Sequence, residues 1–151
     1  MLIETLKILF NRDLKRVINE IEQYNNEVDI WKIKGQINNS AGNICLHLVG
    51  NLKTYIGKEL GETNYIRNRE LEFSSKNVSR QELIKIVENT IEIITQTLDN
   101  LNEDILANEY PILVLENKTS TEYLLVHLTT HLTYHLGQIN YHRRLIESDE
   151  K

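Results

Sequence analysis

Apolar residues recur at three- and four-residue intervals along four stretches of the chain, the spacing of helices that bury one face. The first runs through Leu2, Ile3, Leu6, Leu9, Phe10, Leu14, Val17, Ile18 and Ile21 and predicts a helix near residues 2–24. The second, through Ala41, Ile44, Cys45, Leu48, Leu52 and Tyr55, predicts a helix near 40–60 that begins at a Ser40 cap. Ser79-Arg-Gln-Glu82 is a capping-box sequence and opens a third helix near 79–101. Thr119-Ser-Thr-Glu122 is another, opening a fourth near 120–146 whose stripe is Leu124, Leu128, Leu132, Leu136, Ile139 and Ile146. The intervening segments are polar. Residues 25–39 read as an irregular connection with Trp31 as a lid on the core end or part of an interface, and 62–78 as a polar connection. Residues 102–118 read as a mixed segment whose Tyr110 to Glu116 portion runs extended across the mouth of the bundle. The fold class expected is all-α, a four-helix bundle in one domain over residues 1–148, with a frayed tail at 149–151.

Composition narrows the function classes. A length of 151 residues is that of one domain, and a single proline with six glycines leaves long uninterrupted stretches for helix. The formal charge of −5 and the lack of a Lys/Arg-rich patch argue against a nucleic-acid partner. No apolar run is long enough to span a membrane, and the first residues lack a signal peptide's basic start and cleavage site. One cysteine, Cys45, cannot form an internal disulfide, which fits a cytoplasmic protein; it lies on the apolar stripe and reads as a small core residue.

The chemistry concentrates in the last helix, where His127, His131 and His135 stand four residues apart and His142 follows. A four-residue step turns a helix by only about 40°, so neighbours in this series share a face. His131 with His135, or His127 with His131, can close on one ion, whereas the seven-residue step to His142 spans about 10 Å and cannot. The helical wheel favours His131 with His135, because His127 lies at the edge of the apolar stripe. A histidine on an apolar face serves core hydrogen bonding more often than ligation, so spacing alone leaves both readings open. Gly137, inside the helix, suggests close approach of another backbone. On the second helix His47 sits at the margin of the stripe with Asn51 one turn on. Arg67 and Arg69 could clamp an anionic substrate or pair with Glu70, Glu72 or a helix end. The HExxH arrangement is absent, since residues 132–134 are Leu-Thr-Tyr.

Three segments together resemble the DinB-like (DinB/YfiT-like) superfamily, an uncharacterised branch of it. They are Asn39-Ser-Ala-Gly-Asn-Ile-Cys-Leu-His47-Leu-Val-Gly-Asn51-Leu, Arg67-Asn-Arg-Glu-Leu-Glu-Phe73, and His131-Leu-Thr-Tyr-His-Leu-Gly-Gln-Ile139. The resemblance spans the chain from the first helix to Ile146. It implies an up-down-down-up bundle and a divalent metal held by His47, His131 and His135. It also implies kinship with metal-dependent transferases and isomerases that use low-molecular-weight thiols, without naming a reaction for this branch. Three imidazoles and a water make an open site of catalytic type, and such ligands suit Zn, Ni or Fe. Asn51 and Gln138 are then candidates for orienting a bound water or a small-molecule substrate, or for hydrogen bonding between helices. Two function classes remain: a metal-dependent transferase with a thiol co-substrate, and a non-catalytic metal-binding or dimerising stress-related protein. A homodimer is expected from the resemblance and from Trp31 and residues 112–115, which are hard to bury in one small bundle.

Overall fold

The computed structural model describes residues 1–148; the tail expected to fray, 149–151, lies outside them. The described residues form five α-helices and no strand: α1 Leu2–Gln23, α2 Ala41–Leu52, α3 Arg69–Ser74, α4 Arg80–Asp99 and α5 Thr121–Glu147. The four expected helices are α1, α2, α4 and α5, each within a few residues of its expected ends except α2, which gives way to a π-helical segment, Lys53–Lys58. The fifth, α3, arises inside the expected connection because Asn68 caps it, its side chain accepting from Leu71 N–H. Two short 3-10 helices, Glu27–Trp31 and Glu103–Ala107, supply further structure in connections that read as irregular.

The core follows the apolar stripes. Leu6, Phe10, Leu14, Val17 and Ile21 of α1 are sealed against Leu83, Val87 and Ile94 of α4 and Leu125, Leu128 and Leu132 of α5. Each such side chain removed from water contributes about 1.5–3 kcal/mol. Polar pairs between helices fix their relative directions. Lys7 meets Asp99 at 2.6 Å and Asn11 meets Thr95 at 3.2 Å, so α1 and α4 are antiparallel. Thr133 Oγ1 donates to Asp13 at 2.8 Å and Asn140 Nδ2 to Glu20 at 2.8 Å, so α1 and α5 are parallel.

The seam between α4 and the chain continuing α2 is tighter. Lys53 Nζ donates to Asn89 at 2.8 Å, Gly57 lies against Ile93, and Gly61 against Thr97. A Cβ at Gly57 would stand 2.8 Å from the Ile93 methyl, so only glycine lets these surfaces touch. The π-helical winding leaves a carbonyl for an outside donor. Tyr110, buried in the core, donates its hydroxyl to Tyr55 O at 2.6 Å.

Two expectations, for residues 110–116 and for Gly137, need correction, and Trp31 takes the first of its two expected places. Residues 110–116 do not run extended: the segment bends and closes on itself where Glu109 bridges Ser120, with Tyr110 N–H donating to Thr119 O and Thr121 N–H to Asn108 O, both at 2.8 Å. Trp31 packs over Gly42, where a Cβ would stand 2.7 Å from the indole, and donates to Val78 O at 3.2 Å; it is a half-buried lid on α2. Outside its own helix backbone, Gly137 has no atom of the described residues within 4 Å of where a Cβ would stand, so they supply no close approach to offset the about 1 kcal/mol that a helix-interior glycine costs relative to alanine.

His142 is structural. It is 2% exposed; its Nδ1 accepts from Tyr24 Oη at 2.6 Å and its Nε2 donates to Lys32 O at 2.8 Å. Accepting from Tyr24 through Nδ1 requires the neutral ring. Burial lowers its pKa from 6.5, against the raising effects of the Lys32 carbonyl and Asp29. Its contribution to stability is therefore fully present above the unfolded value near 6.5 and is lost as pH falls through the folded value. Urea titrations of metal-free protein from pH 7 to pH 5 should show a falling midpoint, with a shallower fall in His142→Gln. Equal slopes in the two proteins would show that His142 is not held neutral.

Candidate metal centre

His47 reaches the site from the middle of α2, and His131 and His135 from successive turns of α5. Their Nε2 atoms converge: His131 lies 3.4 Å from His47 and 3.1 Å from His135. The three form the one group of ligand-type side chains close enough to hold an ion among the described residues. His127 stays outside, its ring centroid 6.3 Å from that of His131. His142 is committed to Tyr24 and Lys32.

The outer nitrogens fix the tautomers. His47 Nδ1 lies 3.1 Å from Glu72 Oε1, and Glu72 is 5% exposed. Arg67 holds that carboxylate with two bonds, Nε to Oε2 at 2.7 Å and Nη2 to Oε1 at 2.9 Å. Arg67 Nη2 also stands 3.4 Å from His47 Nδ1, farther than the Glu72 oxygen at 3.1 Å. The His47 Nδ1–H therefore donates to Glu72. His135 Nδ1–H donates to Gln138 Oε1 at 2.7 Å in the same way. Both rings then point unprotonated Nε2 lone pairs at His131 Nε2, which has one position for a hydrogen and two neighbours. His131 Nδ1 is buried without a hydrogen-bond partner among the described residues. The set is unsatisfied by itself.

A cation among the three nitrogens would answer that deficit. Tetrahedral zinc with Zn–N bonds of 2.0–2.1 Å places its ligand nitrogens about 3.3 Å apart, close to the two separations here. Burial lowers the pKa of all three histidines, and the neighbouring rings help push His131 down to about 4. They are neutral at pH 7. The residues present fit a divalent ion with an open position, and the outer-nitrogen partners are those such ligands ordinarily have.

Local sequence explains the placement. Asn43, one turn before His47, donates through Nδ2 to Glu72 O at 3.0 Å and Ser75 O at 2.8 Å, tying α3 to α2. Gly50 makes room for the Glu72 side chain: a Cβ there would overlap the carboxylate, whose carbon is 2.6 Å away. Phe73 lies beside the His47 ring at 5.2 Å, and Arg67 lies over Tyr55 at 5.7 Å. Arg67 thus faces inward onto Glu72, while Arg69 opens α3 on the exposed side. Asn51 is 7% exposed with its Oδ1 unpartnered among the described residues. Cys45 is fully buried and its thiol is pushed up to about 12, which leaves it inert. Sequence reading missed Glu72 as the partner of His47; Gly50 inside the helix, one turn past a histidine, was the available signal.

Behind His135 a groove of about 550 Å³ opens between α5 and the loop before α2. Its lining includes Gln36, Asn38, Ile44, Gln138 and Tyr141, and no charged side chain lines it. Gln138, which holds His135, joins the histidine cluster to this groove.

The chain belongs to the family described as "Protein of unknown function (DUF1572)", whose model matches residues 2–151. Its fold is similar to a solved structure titled "Crystal structure of the conserved protein of locus from Enterococcus faecalis", with TM-score 0.76 and 14% identity over 96% of each chain. No curated protein matches it.

Gly50→Ala tests the packing directly. Helix propensity alone would stabilise the variant by about 1 kcal/mol. Collision with the Glu72 carboxylate should instead destabilise it by about 1–3 kcal/mol and alter the nitrogen NMR shifts of the His47 ring. A gain in urea midpoint with unchanged His47 signals would mean that Glu72 does not press on this helix.

Proposed function

Because the DUF1572 family carries no assigned function, we propose from the site itself that this protein is a divalent-metal-dependent enzyme of DinB-like, up-down-down-up four-helix-bundle type. Parallel α1 and α5, α4 antiparallel to α1, and α2 aligned with α4 support that topology. The observation that carries the metal reading is the convergence of His47, His131 and His135 through Nε2, with two outer nitrogens already engaged by Glu72 and Gln138. The native ion is Zn, Ni or Fe(II).

The reaction we propose is transfer of a low-molecular-weight thiol to a small electrophile, in a cytoplasmic protein. Free thiols are mostly protonated at neutral pH. A divalent ion bound by the three histidines supplies Lewis acidity that makes a thiol at the open position acidic. The chain's residues do the rest. Glu72 and Gln138 hold the two outer N–H groups and so keep His47 and His135 facing inward. Arg67 offsets the charge of Glu72. Asn51 offers an unpartnered amide oxygen one turn from His47 for a substrate N–H or O–H. The charge-free groove suits an uncharged electrophile with an apolar body. In the transfer the thiol sulfur forms a bond to carbon, the leaving group departs with its electron pair, and the thiol proton passes to solvent. The alternative, a metal-binding bundle without catalysis, is favoured if a bound ion is sealed from solvent; the half-exposed rings of His131 and His135 speak against sealing.

Untagged protein should carry one metal per chain by elemental analysis. His135→Ala should abolish stoichiometric binding and His142→Ala should not; the reverse result would overturn the ligand set. Glu72→Ala should weaken metal binding about 10–100-fold, read by competition with a chromophoric chelator. With monochlorobimane and a small thiol, consumption should require metal, fail in His135→Ala and persist in Cys45→Ala. Equal rates with intact and chelator-stripped protein across several thiols and metals would reject the transferase.

A further inference from the structure

Where the groove meets the histidine cluster, one side chain belongs to both. The groove begins about one turn from the cluster on each helix of the seam, at Ile44 before His47 and at Gln138 after His135. Three residues rise about 4.5 Å along a helix, so a molecule seated against Ile44 and Gln138 lies beside the histidines. Ile44, 7% exposed, gives the groove an apolar floor. His142 also lines it, but both its nitrogens are committed to Tyr24 and Lys32. An amide side chain has an acceptor and two donors. Gln138 spends the acceptor on His135, whose Nδ1–H it takes through Oε1 at 2.7 Å. The ring dictates that direction, because a His135 with its Nε2 lone pair turned inward carries its hydrogen on Nδ1. The amide NH2 then faces away from His135, exposed and without a partner among the described residues. On the other helix the same service is done differently. His47 Nδ1–H is held by Glu72, a sealed carboxylate with no hydrogen to give.

We infer that Gln138 is a positioning residue that couples the groove to the histidine cluster, and that the groove takes an uncharged ligand whose apolar body carries an acceptor oxygen, a carbonyl or an ether, for the Gln138 NH2. The inference rests on the metal reading of the cluster and narrows the class of electrophile assigned to the groove. A charged ligand finds no opposite charge there, since no charged side chain lines the groove. A wholly apolar ligand would cover the NH2 and leave it unpaired, which costs more than the contact returns. Hydrogen bonds in a chain polarise one another. An acceptor placed on the NH2 makes Oε1 a better acceptor for the His135 Nδ1–H, and this makes His135 Nε2 a better ligand. The same chain works in reverse. An ion on Nε2 makes Nδ1–H a stronger donor to Oε1, and the NH2 in turn a stronger donor to the groove. Linkage requires the two gains in affinity to be equal. Glu72 cannot relay in this way, because it has only acceptors and faces a guanidinium instead of a cavity.

Acetanilide, an aromatic ring bearing a neutral amide carbonyl, is a suitable probe. In NMR spectra of isotope-labelled, metal-free protein, millimolar acetanilide should shift the Ile44 methyl, Gln138 NH2 and His135 Nδ1 signals together, with one affinity. Zinc should tighten that affinity about 5-fold. Gln138→Glu, at an exposed position, keeps an acceptor for His135 and removes the donor. It should hold zinc at least as tightly as the native chain, bind acetanilide about 10-fold more weakly and lose the zinc effect. A residue that merely braced His135 would leave acetanilide binding unchanged in this variant. Shifts at Gln138 with none at His135, or equal affinity with and without zinc, overturn the coupling. A zinc effect that persists in Gln138→Glu also overturns it, because the probe would then be binding the ion directly. Absence of acetanilide binding overturns the ligand class. Failure of the native chain to hold zinc would instead overturn the metal reading, on which the metal-free shifts at His135 do not depend.

Discussion

Three imidazole nitrogens pressed together inside a helical bundle are an arrangement that a chain does not adopt for its own comfort. Neutral rings with inward lone pairs repel, and His131 lacks a partner even for its outer nitrogen. The chain nevertheless commits a buried carboxylate, a guanidinium, an amide and a helix-interior glycine to hold the rings so. The histidine cluster also accounts for α3, a helix too short to stand alone. Asn43 pins it and Arg67 crosses to it, and together they bring Glu72 to His47.

The rest of the architecture keeps α2 and α5 in register beneath that cluster. Asp13 and Glu20 are buried on α1, where each accepts bonds from α5 and from arginine. Polar contacts of this kind add little net stability but leave a slipped α5 with unpaired charge inside. On the other side, Gly57 and Gly61 bring the π-helical continuation of α2 onto α4. The two faces of the site are thus set by different means, one by matched polar pairs and one by close glycine contact.

The four long helices were legible because each writes its buried stripe at helical spacing; α2 and α4 open on the expected Ser40 and Ser79 caps, while α5 is capped by Ser120, one residue past the start of its expected capping box. The histidine spacing likewise separated His131 and His135 from His142, since helix geometry is local. What escaped depends on tertiary contact. α3 has no stripe of its own, burying only Glu72. Glu72 could not be tied to His47 because the two are joined across separate elements, and Arg67 had several acidic neighbours to choose from. The loop at 110–116 looked extended from its aliphatic run, but a single bridge between Glu109 and Ser120 folds it back. Gly137 misled for a similar reason: its place inside the helix suggested a close approach, and among the described residues nothing packs against it.

The sequence separation within the cluster has a consequence for the unfolded chain. His47 and His131 lie 84 residues apart. A link closing a loop of that length restricts an unfolded chain by about 4–5 kcal/mol of conformational entropy. An ion shared by the two histidines is a reversible version of such a link, tying the middle of α2 to the middle of α5. Removing such an ion would free that link while leaving every helix its local hydrogen bonds. Helix content and tertiary cooperativity would then respond unequally to a chelator, the first little and the second strongly.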